Sequence, residues 1–376
     1  MRRYLDRILG REPEDNVSGA PASSKSQAKP QAEASEPKKA NAPLTPKMKN
    51  SPIPIHRFSE EVSLPVIPDE GPSRKISFVV IVYKMPDQAE KTLYSLSTQY
   101  QRGVSESDFE VIVVENASSA VLGEQRACQY GGNVRYFYRE ETLPTPVPAV
   151  NFGASHASGS HITIMVDGAR VLSPSVVSFM LAATRLHPQA LVALPGYHLG
   201  PKLQQRSMLE GYCEAVEAEL MASIDWPADG YKLFEISCLS GTSTSGFFKP
   251  IGESNCYCVP KAVWESVEGF DPAFTETGGG QVNLDFFKRT VELPDTVLVI
   301  LPGEGSFHQF HGGITTGTQG ESRVKSMEDH FNQYAQLRGG PYQSPDKRPI
   351  YLGSLPDSVM KFVKHGAVQA IKMLDQ

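Results

Sequence analysis

From Lys75 onward the chain alternates short, almost purely apolar runs with stretches of helical spacing. Ile76 to Val82 is a β-branched run, which predicts a strand covered on both faces. Ala89, Leu93, Leu96 and Tyr100 follow Pro86 at helical intervals. Phe109 to Val114, Val134 to Tyr138 and Ile162 to Val166 predict further strands. A helix from Pro174 to about His187 comes next, with the proline in its first turn. Strand and helix in alternation describe an α/β fold with a mostly parallel sheet covered by helices.

Beyond residue 200 the pattern loosens. Met208 to Ile224 has helical spacing and leads into a loop rich in Gly, Ser and Thr. A strand (Asn255 to Val259), a helix (Lys261 to Val267), a helix after three glycines (Asn283 to Glu292) and a strand (Thr296 to Leu301) follow. Val324, Met327, Phe331 and Tyr334 mark a last core helix, stopped by Gly339, Gly340 and Pro341. Residues 1–72 differ: they hold 11 of the 29 prolines and little apolar period. Their stretch from Ser23 to Asn50, with six lysines against two glutamates, cannot bury enough surface to offset its ordering entropy and reads as a disordered tail.

Both ends carry basic amphipathic segments. In Met1 to Arg11, Tyr4, Leu5, Ile8 and Leu9 share a face among arginines. In Ser358 to Leu374, Val359, Phe362, Val363, Val368, Ile371 and Leu374 do so among lysines. Two weak anchors could hold the protein peripherally on an anionic membrane. The alternative is that the second helix packs on the domain and the first is unstructured.

Composition narrows the function. Apolar residues at 40% suffice for a core, and a formal charge of −6 argues against a nucleic-acid partner. No apolar run approaches the roughly 20 residues of a spanning helix. Five cysteines without framework spacing suggest reduced thiols, hence a cytoplasmic protein, whether or not it touches the inner face of a membrane. Cys256 and Cys258 fall on one face of a strand and read as buried thiols rather than zinc ligands.

In an open α/β sheet, ligands sit beyond the carboxyl ends of the strands. Glu115 and Asp167 stand at two such ends. Either carboxylate could bond a base or ribose or hold a divalent cation, and either could simply terminate a buried strand.

Seven stretches carry a family resemblance: SFVVIVYKM (77–85), EVIVVENAS (110–118), NFGASHASG (151–159), MVDGAR (165–170), VEGFDPAF (267–274), GGGQVNLD (278–285) and FHQFHGG (307–313). In this order they resemble a family 2 glycosyltransferase of the GT-A fold. The resemblance implies an inverting enzyme that moves a sugar from a nucleotide-sugar donor, a UDP-sugar by preference, to a saccharide or other hydroxyl acceptor. It sets a GT-A domain at 73–340, with a nucleotide-binding half (73–195) and an acceptor half (196–340), and a carboxy-terminal extension at 341–376. It implies donor contacts from Val82, Tyr83, Glu115, Asn151, Gly153, Asp167 and Arg170. Asp167 aligns with the first acid of an Asp-x-Asp motif that positions Mn²⁺ or Mg²⁺ on the diphosphate.

The sequence departs from that pattern twice. Ala169 stands where the second acid is common, and His308 or His311 could supply the missing ligand, favouring Mn²⁺. A pair of ordinary loop or core histidines is the competing account. Asn283 stands where the resemblance places an acidic base, which leaves Asp285, with Glu276 in reserve. Asp285 is equally a first-turn acid spaced four from Arg289. A silent nucleotide-sugar-binding domain is the alternative function. Trp226 is an acceptor-site candidate, and Trp264 reads as core.

Overall fold

A computed structural model of the protein describes residues 74–141, 143–311 and 320–374, with side chains described from 324 to 373 in the last stretch. The amino-terminal tail, its Met1 to Arg11 segment, Gly312 and Gly313 lie outside the described residues.

The apolar runs form the strands they predict. In order come β1 (Ile76–Val82), α1 (Pro86–Ser95), β2 (Phe109–Asn116), α2 (Glu124–Cys128), β3 (Val134–Arg139), α3 (Val147–Ser155) and β4 (His161–Met165). Every residue of β1, β2 and β4 is buried, as expected of strands with helices on both faces. Then come β5 (Arg170–Leu172), α4 (Val176–Thr184), β6 (Ala190–Ala193), β7 (Gly196–Leu199), α5 (Gln204–Ser207), α6 (Glu214–Ala222) and β8 (Ser237–Leu239). The chain continues through β9 (Tyr257–Pro260), α7 (Lys261–Ser266), α8 (Val282–Val291), β10 (Val297–Ile300), β11 (Ser306–His308), α9 (Gly320–Arg338), β12 (Ile350–Tyr351) and α10 (Met360–Leu374).

Eight strands make the main sheet in the order β12-β10-β6-β9-β4-β1-β2-β3. Only β9 runs against its neighbours. The GT-A expectation of a mostly parallel sheet between helices therefore stands. A second sheet, β5-β11-β7-β8, was not foreseen from the sequence. It has its own core, in which Tyr197, Phe234, Phe307 and Phe362 pack ring against ring. In the main core, Trp264 stacks on Phe270 and lies against Phe286, as a core tryptophan should. Cys256 and Cys258 are buried thiols.

The carboxy-terminal residues are built into both units of this architecture. β12 extends the main sheet beside β10, and Val359 and Phe362 enter the second core. Cover extends as far as Gly366, which lies against Gly246 and Phe247; beyond it Val368 remains 44% and Ile371 58% exposed. No helix among the described residues is long and apolar enough to cross a membrane.

Glu304 ties the turn before β11 to the segment after β5. It accepts bonds from the Ser173 hydroxyl, from Tyr231 Oη at 2.7 Å and from the Ser175 N–H at 3.3 Å. Burial pushes its carboxyl up from 4.5 to about 7, more than these donors pull it down. The folded state thus holds this proton more tightly than the unfolded chain, so the stability it contributes is complete below pH 4.5 and lost as pH rises through about 7. Glu304→Gln is expected to leave stability nearly unchanged near pH ~5 and to raise it by about 1–3 kcal/mol near pH ~8. Thermal unfolding of both proteins across that range checks it; parallel pH profiles would refute it.

Candidate active site

Asp167 follows β4, and the backbone around it is strapped to the neighbouring elements. Gly168 N–H donates to the Ile81 carbonyl at 2.8 Å, and Thr92 Oγ1 donates to the Gly168 carbonyl at 2.6 Å. A Cβ on Gly168 would stand 2.7 Å from the Ile81 oxygen, so only glycine lets this loop lie on the end of β1. The Ala169 N–H caps Asp167 Oδ1 at 3.0 Å. Oδ2 is left to face the site.

Three cationic or metal-ligating groups converge on that oxygen. His308 Nε2 lies at 2.8 Å, His311 Nε2 at 3.3 Å and Arg170 Nη2 at 3.9 Å. The antiparallel register of β5 and β11 sets Arg170 opposite His308, which explains their arrival together. Asp167, His308 and His311 each offer one atom, all within 4.8 Å of one another.

A residue absent from the sequence reading fixes the chemistry. Gln204 Oε1 lies 2.6 Å from His308 Nδ1, while its amide nitrogen donates to the His308 carbonyl at 3.0 Å. The amide is thereby oriented as an acceptor toward the ring, so the proton sits on Nδ1 and Nε2 presents its lone pair to the site. Burial lowers the His308 ring to about 4, against the pull of Asp167, which keeps it neutral. For His311 the same burial is outweighed by Asp167, and its pKa rises. Burial acts to raise the Asp167 carboxyl, but the imidazole charge beside it, that of His311 first, holds it well below its usual range. An anionic oxygen beside neutral imidazole nitrogen is a donor set that suits a divalent transition ion, so the residues fit one.

Behind this trio, Glu217 accepts the Phe310 N–H at 2.9 Å and Tyr212 Oη at 3.0 Å, fixing the backbone between the histidines. Arg170 is 7% exposed, and its Nε and Nη1 have no partner among the described residues. A buried guanidinium with free N–H groups is a binding group for an anion.

Other expected residues are placed differently. Val82 is buried at the end of β1, and Tyr83 just beyond it is half-exposed with Lys84 Nζ 5.0 Å from its ring centre. Glu115, read as a nucleotide contact, is fully buried and bonds the Leu122 and Gly123 N–H groups and Tyr136 Oη, at 2.7, 3.0 and 2.6 Å. It shapes the loop after β2 instead. Asn151 exchanges two bonds with the Phe270 backbone, at 2.8 and 3.0 Å, and so joins α3 to the loop before α8. Gly153 lets α3 approach the sheet, since a Cβ there would meet Val79 Cγ1 at 2.5 Å. Trp226 lines a cavity of about 480 Å³ with Tyr94, Tyr130, Asp87 and Glu90, where Arg126 already binds both acids.

Neither proposed base reaches the Asp167 cluster. Glu276 opens a turn facing α9, where His330 Nε2 donates to the Thr277 carbonyl at 3.2 Å. Asp285 is 1% exposed and clamped by Arg289 Nε at 2.7 Å and by Arg338 at 2.6 and 2.9 Å. The two guanidiniums thus occupy both oxygens of this carboxylate. The helix-acid account of Asp285 is the one its surroundings support.

Residues 77–210 match the model of the family described as Glycosyl transferase family 2. That stretch is thus similar to a family 2 glycosyltransferase domain. Among solved structures the chain is similar to residues 1–349 of S. aureus TarS, at 12% identity over 70% of this chain and 72% of that one, TM-score 0.44. M. tuberculosis glucosyl-3-phosphoglycerate synthase is similar at 16% identity over 77% and 92%, TM-score 0.41. The mannosyltransferase PcManGT from Pyrobaculum calidifontis, in complex with GDP-Man and Mn²⁺, is similar at 14% over 78% and 69%, TM-score 0.41. No curated protein matches the chain.

The Asp285 clamp makes a direct forecast. Asp285→Asn leaves two guanidiniums facing an amide and is expected to cost about 2–4 kcal/mol of stability. Denaturant unfolding measures it; unchanged stability with lost turnover would return this carboxylate to catalysis.

Proposed function

We propose that the domain transfers a sugar from a nucleotide-sugar donor, a UDP-sugar by preference, to a saccharide or other hydroxyl acceptor, inverting the anomeric centre in one displacement. The observation that carries this reading is the convergence of one carboxylate oxygen, two imidazoles and a buried, incompletely partnered guanidinium at the carboxyl edge of a family 2 domain. Asp167, His308 and His311 would hold a divalent cation, with Mn²⁺ favoured over Mg²⁺ by the imidazoles. When bound, such an ion stabilises the charge that gathers on the leaving diphosphate.

The protein's own groups do the rest. Arg170 binds a diphosphate oxygen through N–H groups already stripped of water, where a charged hydrogen bond is strongest. Gln204 holds the His308 ring in the one tautomer that can ligate. Tyr83, at the mouth of β1, offers its ring to the base or ribose. Ala169 lacks the second carboxylate of the family pattern, and the two histidines replace it.

One observation favours the silent binding reading: an amide, Asn283, occupies the position expected of a base. Turnover separates the two. Among UDP-, GDP- and dTDP-sugars, one donor is expected to be consumed with Mn²⁺ and spared with EDTA. Gln204→Ala is expected to weaken Mn²⁺ binding, read by calorimetry, about 10–100-fold through loss of the ring's support. Asp167→Asn should abolish metal-dependent turnover. A donor bound tightly but never consumed would leave the domain a binding module, and turnover indifferent to Asp167 would remove the proposal.

A further inference from the structure

We propose that Glu253 takes the proton of the acceptor hydroxyl, supplying from a loop the carboxylate that position 283 lacks. The inference rests on the transfer reading above and adds to it the residue that activates the acceptor.

Topology puts Glu253 at the right edge of the sheet. β4 and β9 pair antiparallel from His161↔Pro260 to Ile164↔Tyr257. Past this ladder the chain leading into β9 carries residues 253–255 at the same end of the sheet where β4 runs on to Val166 and Asp167. The segment is pinned there, because the Leu194 N–H donates to Ser254 Oγ at 3.0 Å at the carboxyl end of β6. Glu253 therefore shares the edge that carries Asp167, and Arg170 lies within electrostatic reach of both carboxylates.

Its hydrogen bonds explain the asparagine. Asn283, in the first turn of α8, donates to Glu253 Oε2 at 2.7 Å and contacts Asn255 Oδ1 at 3.3 Å. Asn255 donates to Glu253 Oε1 at 3.4 Å. A carboxylate at 283 would repel Glu253, whereas an amide orients it. The substitution that counts against catalysis in the sequence thus holds a replacement acid in place.

The neighbouring acids are otherwise engaged. Asp285 is clamped by two guanidiniums, Glu276 faces α9, and both oxygens of Glu217 accept the Phe310 N–H. Glu253 is half-buried and oriented by the side-chain amides of Asn255 and Asn283. In the step, the acceptor O–H proton passes to a Glu253 oxygen. The freed electron pair of the acceptor oxygen forms the bond to the anomeric carbon. The bond from that carbon to the diphosphate oxygen breaks, and its pair leaves on the diphosphate.

The test uses the full chain with Mn²⁺ and whichever of the UDP-, GDP- and dTDP-sugars the wild type consumes. Glu253→Gln keeps the shape and the bond from Asn283. It is expected to cut kcat at least ~100-fold, as loss of a general base does, while donor affinity by calorimetry stays within about 3-fold. Adding Asn283→Asp to that variant returns a carboxylate to the same spot and is expected to recover at least ~10-fold of the loss. A merely structural Glu253 would not be rescued by an acid at 283. Turnover of Glu253→Gln within about 3-fold of wild type, or no rescue in the double variant, overturns the assignment and leaves the transfer reading intact. A wild type that binds donor and consumes none overturns both.

Discussion

The site is organised by the burial of an acid among imidazoles. Asp167 sits where a lone carboxylate would be forced to take up a proton, yet the charge of the His311 imidazole beside it favours the ionised form. The same burial keeps His308 neutral, and Gln204 fixes its one proton on the far nitrogen. An anion and a neutral lone-pair donor side by side, both dry, form an electrostatic trap for a cation. The register of the second sheet delivers Arg170 and His308 to that trap.

Precision here comes from the supports more than from the ligands. Thr92 braces the loop carrying Asp167, Gln204 braces one ring, and Glu217 braces the backbone between the rings. Each support comes from a different element, α1, α5 and α6, so the geometry is set by packing across the whole fold. Loop residues held this way behave as rigid parts of the scaffold.

The sequence disclosed this architecture unevenly, for physical reasons. β1, β2 and β4 were legible because strands buried on both faces become continuous apolar runs. The second sheet was not, because Gly196–Leu199 and Ser306–His308 are too short and too mixed in polarity to show any period. The helix placed at Pro174 begins at Val176 and ends at Thr184, a shift typical of element ends. At the site, Asp167 and the two histidines could be picked out because their motifs resemble a known family. Gln204 and Glu253 could not, since a glutamine or glutamate in a polar stretch is indistinguishable from a solvated one until its partner is known. Glu115, Asn151 and Asp285 erred the other way: polar groups in suggestive positions proved to be satisfying backbone and arginine partners inside the fold.

The order of the ligands along the polypeptide has a consequence for biogenesis. Asp167 emerges from the ribosome first, the Gln204 brace next, and both imidazoles only after it. A nascent chain with its sheet half assembled therefore offers a lone acid to the ions around it. The three groups come together only once β11 lies between β5 and β7, so a complete cluster doubles as a report that this second sheet has formed.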